Sequence, residues 1–210
     1  MPIRVLLADD HTVVRQGLRV LLEREGFAVV AEAANGHEAI KLCEANHPEV
    51  AVIDLAMPLL NGIDAAREIT KSGSRTKVIL LTMHAEDHLV LESLRSGVTG
   101  YLLKTRASEE LVQAIRTVSR GEMYLTRSVS ETVVKAYLAK EDLPGQSLSD
   151  RERQVLQLVA EGKTSKEVAT LLGISVKTAE SHRSNIMEKL DIHDTAGLVR
   201  YAIRNGIIQS

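Results

Sequence analysis

The first half of the chain alternates between short apolar runs and longer segments in which apolar residues recur every three or four positions. Four apolar runs of four to six residues are rich in β-branched side chains: Ile3–Ala8, Val50–Ile53, Val78–Leu81 and Thr99–Leu103. Such runs are typical of strands that are buried on both faces of a parallel sheet. Because the intervening segments are long enough for one crossover helix each, the pattern predicts an α/β fold.

Strand-like and helix-like patterns alternate five times before residue 121, which predicts a doubly wound, five-stranded parallel sheet of flavodoxin-like order. The predicted helices are Val13–Glu25, His37–Asn46, Ile63–Lys71, Asp87–Ser96 and Glu109–Ser119. Ser108 is placed to cap the last of these helices. Gly26, Gly73 and Gly97 follow three of the others, where a left-handed residue ends a helix at little cost.

The pattern changes after Gly121. Residues 127–140 predict one more helix, and residues 141–147 have the composition of a linker, with a proline and a glycine close together. We therefore assign residues 1–121 to the α/β domain, 122–147 to a linker with a helix, and 148–210 to a small all-α domain. Its predicted helices are Asp150–Glu161, Ser165–Leu172, Val176–Leu190 and Thr195–Asn205.

Two signatures mark helix starts in this second domain. Ser149 with Glu152, and Thr164 with Glu167, have the Ser/Thr-x-x-Glu spacing of a capping box. The second and third helices, joined by a turn at Gly173, have the form of a helix-turn-helix. The residues that we expect to pack between these two helices are Val168, Leu171, Leu172, Ile174, Val176, Ala179, Ile186 and Leu190.

Composition excludes some classes of protein and leaves others open. With 44% hydrophobic and 26% charged residues, the chain is of ordinary globular composition, and no apolar stretch is long enough to span a membrane. The N-terminus runs directly into a predicted strand, so we expect a cytoplasmic protein. Cys43 is the only cysteine, which excludes an intrachain disulfide. The net charge of −2 neither requires nor excludes nucleic acid, and 2% aromatics disfavours base stacking.

Each of the four apolar runs ends at a residue that could handle a phosphoryl group: Asp9 with Asp10, Asp54, Thr82 and Lys104. The carboxyl ends of parallel strands lie at one edge of a sheet, so these side chains are expected to converge. A carboxylate such as Asp54 can act as a nucleophile toward phosphorus, and Asp9 and Asp10 could hold Mg²⁺. Lys104 could pair with a phosphoryl oxygen, and Thr82 could donate a hydrogen bond to another.

Other proteins on similar folds make poorer matches. An Asp after a strand is often only a turn or cap residue, so the prediction rests on the joint placement of all five side chains. A haloacid-dehalogenase phosphatase needs a second Asp two positions after its nucleophile, and position 56 is Ala. A flavodoxin needs a phosphate-cradling loop after the first strand, where Asp9 and Asp10 would repel phosphate. The chain has no Gly-rich nucleotide loop and no Ser/His/Asp order typical of a hydrolase.

Residues 3–120 resemble the receiver domain of two-component response regulators. The matching residues are Asp9, Asp10, Asp54, Met57, Pro58, Gly62, Thr82, Tyr101 and Lys104. The resemblance implies that Asp54 accepts a phosphoryl group from a sensor histidine kinase, and that Asp10 and Asp54 bind Mg²⁺ directly. It also implies that the backbone carbonyl of Ala56 is a further ligand and that Asp9 acts through water.

By the same resemblance, Thr82 and Tyr101 form a switch pair in which the hydroxyl moves toward the phosphoryl group and the ring turns inward. Without the family, Tyr101 reads as a half-buried strand aromatic. The chain departs from many receivers at Thr105, where proline is common. Positions 56 and 84, here Ala and His, flank the site, and residues there influence how long the phosphoryl group lasts in relatives.

Residues 148–208 resemble a LuxR-type helix-turn-helix. The matching residues are Leu148, Ser149, Arg151, Glu152, Val155, Leu156, Gly162, Glu167, Ala169, Leu172, Ser175, Thr178, His182, Ile186, Lys189 and Leu190. Together with the receiver, this indicates a response regulator of the NarL/FixJ type. If the second helix of the motif lies in the major groove, its predicted DNA contacts are Lys177, Thr178, Glu180, Ser181, His182, Arg183, Ser184 and Lys189.

The last helix commonly forms the DNA-bound dimer contact in this family, which makes Leu198, Val199 and Ala202 predicted dimer residues. On periodicity alone, a helical hairpin that binds nothing remains an open alternative. The predicted function is phosphorylation-controlled transcription regulation by a homodimer on promoter DNA, with RNA polymerase as a possible partner. We predict that the chain is not an enzyme beyond the receiver domain's catalysis of its own phosphorylation and dephosphorylation. The alternatives are a stand-alone phosphoryl-transfer enzyme and a protein-interaction module with a degenerate receiver.

Overall fold

The chain divides into two units, Met1–Glu141 and Asp142–Ser210. The computed structural model describes residues 1–83, 86–126, 129–131, 133 and 148–208. The first unit is α/β with a parallel sheet, and the described part of the second consists of helices and short connections, so the predicted fold class is confirmed. Among the described residues, no helix combines the length and apolar character needed to cross a membrane.

The sheet has six parallel strands in the order β2-β1-β3-β4-β5-β6. Their bounds are Arg4–Ala8 (β1), Ala28–Ala33 (β2), Val50–Asp54 (β3), Lys77–Thr82 (β4), Gly100–Leu103 (β5) and Tyr124–Leu125 (β6). The prediction of five strands was wrong by one. The sixth strand has only two residues, which pair with Gly100 and Tyr101 at the sheet edge. A strand of two residues is defined by backbone pairing with its neighbour. It contains no apolar run from which the sequence could predict it.

Helices cover both faces of the sheet. Their bounds are Thr12–Arg24 (α1), Gly36–Asn46 (α2), Gly62–Lys71 (α3), Asp87–Arg95 (α4) and Ala107–Ser119 (α5). Alternate strand residues point to opposite faces, so Leu6 and Ile53 belong to one core cluster, and Leu7 and Val52 to the other. Both clusters consist of buried apolar side chains, and the doubly wound prediction is therefore confirmed.

The start of α5 differs from the prediction. A 3₁₀ turn over Lys104–Arg106 leads directly into the helix, which begins at Ala107. Ser108 therefore lies in the first turn of α5, and Arg106 occupies the cap position. The predicted cap was misplaced because the 3₁₀ turn extends the helical backbone back to the end of β5.

The structured part of the first unit extends past residue 121. Besides β6, residues 129–131 and 133 are helical, and Val129 is buried against the core that contains Tyr101. The remainder of the helix predicted over 127–140, and the linker predicted over 141–147, lie outside the described residues. The proposed boundary at residue 121 thus precedes two described segments that pack on the sheet domain.

The second unit contains the four predicted helices: Asp150–Ala160 (α6), Ser165–Leu172 (α7), Val176–Leu190 (α8) and Thr195–Arg204 (α9). Both predicted capping boxes are confirmed, at Ser149 with Glu152 and at Thr164 with Glu167. Val168, Ala179 and Ile186 are buried as expected.

Two predicted packing residues of this unit are exposed. Leu171 is 46% exposed and Val176 is 42% exposed. The expectation that they pack between α7 and α8 was wrong. Both residues flank the tight turn that begins at Gly173, which ends α7 with a left-handed φ of 63°. Their helical phase therefore places them on the rim of the interface and not in its core.

Candidate phosphorylation site and helix-turn-helix

The predicted phosphoryl-handling residues meet at the carboxyl edge of the sheet, where the strand order reverses between β1 and β3. Asp9 follows β1, Asp54 ends β3 and Lys104 follows β5. Strands β1 and β3 are direct neighbours, which brings the carboxylates of Asp9 and Asp54 together. A switch point of this kind is where open α/β sheets bind ligands, because the connections diverge and leave a crevice.

Lys104 joins the two carboxylates. Its Nζ lies 2.9 Å from Oδ2 of Asp9 and 2.9 Å from Oδ2 of Asp54. Both aspartates are buried, with 2% and 3% of their surface exposed. Apart from this ammonium group, no group in the described part of the chain pairs with either Oδ2 atom. One cation therefore compensates two buried anions, and negative charge remains in excess.

The excess negative charge is reflected in the titration of the site. Burial raises the pKa of the Asp54 carboxyl from 3.8 to about 6; Lys104 opposes this rise, and the charges of Asp9 and Asp10 add to it. Burial lowers the pKa of the Lys104 ammonium, but the hydrogen bonds and charges of Asp54 and Asp9 outweigh burial and raise it overall. The site thus favours any added positive charge.

Asp10 and His11 complete the cluster on the solvent side. One donor atom from each of Asp9, Asp10, His11 and Asp54 lies within 4.8 Å of the others. Oδ1 of Asp10 is 2.9 Å from Nδ1 of His11, and the half-exposed imidazole contacts Oδ1 of Asp9 at 3.3 Å. Sequence analysis did not single out His11, although its place directly after the acidic pair was a signal that could have done so.

Thr82 and Tyr101 lie behind the carboxylate cluster on neighbouring strands, β4 and β5. Both are almost completely buried, and Tyr101 belongs to the core cluster of the sheet. Burial and the charge of Glu86 raise the pKa of the Tyr101 phenol, while a hydrogen bond between this phenol and the Thr82 hydroxyl opposes that rise. Tyr101 is therefore fully inside the domain, in contrast to the half-buried position suggested by its strand pattern alone.

The loop after β3 is held close to Asp54. Gly62, the first residue of α3, donates its backbone N–H to the carbonyl oxygen of Leu55 at 2.7 Å. A Cβ atom at Gly62 would overlap the carbonyl oxygen of Asp54, so only glycine fits there without a shift. Ala56 is buried in this loop, two residues after Asp54. Position 84, beyond β4, lies outside the described residues.

In the second unit, the predicted recognition helix α8 presents a polar face to solvent. Lys177, Thr178, Glu180, Ser181 and Ser184 are accessible on this face, whereas Ala179 and Ile186 on the opposite face are buried. The Thr178 hydroxyl shares a 2.8 Å hydrogen bond with Ser175, the cap residue of the helix. His182 is partly exposed. These residues are therefore positioned on one accessible face, and their contact with DNA stays a prediction.

Two of the predicted DNA-contacting cations have partners inside the domain. Arg183 donates to the Thr195 hydroxyl at 2.7 Å, which ties α8 to the start of α9. Lys189 lies 2.8 Å from Oε2 of Glu152, which is 4% exposed. Burial raises the pKa of the Glu152 carboxyl, but the hydrogen bonds from Lys189 and Ser149 outweigh it and lower the pKa overall. Lys189 therefore stabilises the packing of α8 on α6.

The predicted dimer residues on α9 have different environments. Leu198 is 1% exposed and Ala202 is 0% exposed within the single chain, since α9 packs on α6. Burial inside the domain removes both from the surface that a second copy could reach, which corrects the prediction for these two positions. Val199 is partly exposed and remains available.

Comparison with known families assigns both halves of the chain. Residues 5–116 match the model of the response regulator receiver domain. Residues 146–202 match the model of bacterial regulatory proteins of the luxR family. Neither match is to a family of phosphoryl-transfer enzymes, so the stand-alone enzyme considered from the sequence is not supported.

The chain is similar to curated relatives over almost the whole length of both proteins. The response regulator UvrY of Escherichia coli K12 is 38% identical over 208 residues, covering 98% of this chain and 95% of the relative. The transcriptional regulatory protein LiaR of Bacillus subtilis is 39% identical over 209 residues, covering 98% of this chain and 99% of the relative.

Solved structures agree with this assignment. RcsB of Salmonella enterica serovar Typhimurium, bound to promoter rprA in the presence of phosphomimetic BeF3-, is 28% identical, with a TM-score of 0.66. The match covers 96% of this chain and 98% of the RcsB chain. With its receiver, its LuxR-type helix-turn-helix and its full-length relatives, this chain belongs to the NarL/FixJ-type response regulators, a family of DNA-binding transcription regulators.

Proposed function

We propose that Asp54 is the phosphoryl acceptor of this response regulator, with a sensor histidine kinase as the donor. The observation that carries the proposal is the bridge from Lys104 to both Asp9 and Asp54, at 2.9 Å each, in a buried site. The bridge brings an anionic nucleophile and a cation to one point of the sheet edge. Phosphoryl transfer needs both of these features.

The donor set fits Mg²⁺, a hard cation that prefers oxygen ligands and retains several waters. Three carboxylates lie in the cluster, and two of them are buried with a single ammonium group between them. Asp10, Asp54 and the backbone carbonyl of Ala56 would hold the ion directly, and Asp9 would act through water. When bound, Mg²⁺ supplies the positive charge that reduces repulsion between the carboxylate and the incoming phosphoryl group.

The chain's own residues then account for the transfer. A carboxylate oxygen of Asp54 forms a bond to phosphorus as the bond from phosphorus to the kinase histidine nitrogen breaks, and that nitrogen keeps the electron pair. Lys104 pairs with one phosphoryl oxygen and the Thr82 hydroxyl donates to another. Water later attacks the same phosphorus and regenerates the Asp54 carboxylate, so the domain catalyses only its own phosphorylation and dephosphorylation.

Phosphorylation would alter the contact between Thr82 and Tyr101. The Thr82 hydroxyl is hydrogen-bonded to the Tyr101 phenol, so donation to a phosphoryl oxygen competes with that bond. The added charge of about −1.5 to −2 is a local change that can bias a two-state element. This coupling would shift the protein toward a homodimer on promoter DNA.

The DNA-binding role would be carried by the exposed face of α8. Its residues Lys177, Ser181 and Ser184 are exposed. If α8 enters the major groove, they would meet phosphates and base edges. Val199 and the exposed face of α9 would form the dimer contact. RNA polymerase as a partner and a cytoplasmic location belong to this proposal and stay predictions.

The test is labelling of the full chain with radioactive acetyl phosphate and Mg²⁺. We expect hydroxylamine-sensitive label on the wild type and none on Asp54→Asn. Asp64→Asn is the matched control, because Asp64 is also buried but belongs to α3. Undiminished label on Asp54→Asn would overturn the site assignment, and so would loss of label only in the control.

A further inference from the structure

We propose that His11 is a nitrogen ligand in the metal site, and that through it the site binds first-row transition-metal ions of the Co²⁺ and Ni²⁺ type in competition with Mg²⁺. The inference deepens the proposed function and rests on it, because the same carboxylates are used. It adds a nitrogen ligand that the oxygen-only site does not have.

The spacing of the donor atoms supports this role. Nδ1 of His11 is 2.9 Å from Oδ1 of Asp10, a proposed direct ligand, and 3.3 Å from Oδ1 of Asp9, which would act through water. Adjacent ligands of an octahedral ion with bonds of about 2.1 Å lie about 3.0 Å apart. Donor atoms of these three residues and Asp54 all fall within 4.8 Å of one another, which also accommodates ligands on opposite sides of such an ion.

The local backbone holds His11 in this position. Its N–H donates to Oδ1 of Asp9 at 2.8 Å, so the residue is attached to the carboxylate that its ring also contacts. His11 occupies the cap position of α1, yet its side chain makes no capping hydrogen bond. The imidazole is thus not committed to the helix start. Its side chain is 51% exposed, which leaves the ion a path from solvent.

The chemistry of the donors decides the class of ion. Mg²⁺ prefers oxygen and gains little from an imidazole, whereas Co²⁺, Ni²⁺ and Zn²⁺ bind imidazole well. Carboxylates alone would already rank Ni²⁺ above Mg²⁺, because transition-metal ions bind most N and O donor sets more tightly. The property that tests the role of His11 is therefore how much the affinity for each metal falls when His11 is removed. The order of the metal affinities does not test it.

The experiment measures binding of NiCl₂ and of MgCl₂ to the full chain by isothermal titration calorimetry. We expect His11→Ala to weaken Ni²⁺ binding at least about tenfold, since a direct ligand is lost. Mg²⁺ binding should change by less than about twofold, because its oxygen ligands remain. Circular dichroism melting of the variant checks that the fold is intact.

A matched control is His193→Ala. His193 also lies near a carboxylate, with Nε2 3.4 Å from Oδ1 of Asp191, but its side chain is 84% exposed and it does not belong to the acidic cluster of the receiver. We expect this variant to bind both metals as the wild type does. An equal loss of Ni²⁺ binding in both histidine variants would show general surface chelation and overturn the inference.

The remaining outcomes separate the inference from the proposed function. Unchanged Ni²⁺ binding in His11→Ala overturns the role of His11, while intact Mg²⁺ binding leaves the proposed function standing. An equal loss of affinity for both metals in His11→Ala means that His11 only orients Asp9 and Asp10. This result also overturns the inference. Failure of the wild type to bind Mg²⁺ at all contradicts the proposed function itself.

Discussion

At the scale of single residues, the proposed phosphorylation site concentrates charge where the fold can least solvate it. Asp9 and Asp54 are almost completely buried, and a single ammonium group, that of Lys104, lies between them. The folded protein retains this arrangement although an ionised carboxylate is more stable in water. We propose that this cost is retained because the same residues would hold a cation and receive a phosphoryl group.

The free-energy cost of burying the Asp54 charge predicts a pH-dependent effect of Asp54→Asn on stability in the absence of divalent metal. The pKa of Asp54 is raised from 3.8 to about 6, so its contribution to wild-type stability is fully present below pH 3.8 and is lost as the pH rises through 6. The amide of the variant carries no charge at any of these pH values, so the variant loses no stability from this position as the pH rises. We expect the variant to be more stable than the wild type by about 1–3 kcal/mol at pH 8.

Urea unfolding of both proteins in EDTA, at pH 4.5 and pH 8, measures this difference. The advantage of Asp54→Asn should shrink toward zero at pH 4.5, where the wild-type carboxyl binds a proton. Asp64→Asn serves as the comparison, since Asp64 has the Arg67 guanidinium as an ion-pair partner. A stability difference between wild type and Asp54→Asn that is the same at both pH values would contradict the argument.

At the scale of elements, the site depends on how closely α3 approaches the end of β3. Gly62 begins α3, and its N–H is bonded to Leu55 just after the strand. A side chain at this position would meet backbone, which cannot move aside as a flexible side chain can. The glycine therefore sets the position of the Asp54 carbonyl, and with it the direction in which the carboxylate leaves the strand.

Gly62→Ala should both destabilise the α/β domain and slow phosphorylation. Overpacking of this kind costs about 1–3 kcal/mol, and displacement of Asp54 reduces the rate of labelling by acetyl phosphate. Gly17→Ala is a contrasting variant, because a Cβ at Gly17 in α1 meets nothing within 4 Å. It should raise stability by about 0.5–1 kcal/mol and leave labelling unchanged. Urea unfolding and labelling rates test both, and equal behaviour of the two variants would refute the packing argument.

The helices of the second unit are joined by polar contacts as well as by their core. Glu152 accepts hydrogen bonds from Ser149 at the start of α6 and from Lys189 near the end of α8. Arg183 connects α8 to the hydroxyl of Thr195 in the same way. These contacts tie α8 to α6 and to the start of α9. The polar face of α8 remains accessible to solvent.

At the scale of the whole molecule, the net charge of −2 means that affinity for DNA has to come from a local surface. Lys177 on α8 is exposed, and the partly exposed Arg183 would exchange its hydrogen bond to Thr195 for a phosphate contact. We expect Lys177→Ala with Arg183→Ala to weaken binding of the full chain to its promoter DNA. The logarithm of affinity should also fall less steeply with the logarithm of salt concentration, by about 2 in slope for each protomer that binds.

Fluorescence anisotropy with labelled DNA at several KCl concentrations measures both quantities. Arg116→Ala with Arg120→Ala is the matched control, because it removes two exposed cations from the end of α5. The control should bind with wild-type affinity and slope. If the α8 variant also binds as the wild type does, the assignment of α8 as the recognition helix is wrong.

The local pattern of this sequence determines a good part of the structure. Apolar runs mark strands β1, β3, β4 and β5, and helical spacing with capping boxes marks α6 and α7, because these signals arise within a few neighbouring residues. The carboxyl ends of parallel strands must share an edge, so the meeting of Asp9, Asp54 and Lys104 also follows from sequence. Their shared ammonium bridge is the direct consequence.

Tertiary structure decided what depends on contacts between distant segments. The two-residue β6 exists because β5 offers it a backbone edge, and Tyr101 is buried in a core cluster to which Val129 also belongs. Leu198 and Ala202 are core residues because α9 lies on α6, although helical spacing gives core and interface stripes the same appearance. The place of His11 beside Asp9 and Asp10 likewise depends on the turn into α1. Sequence patterns specify which side chains are available, and packing in three dimensions specifies which of them meet.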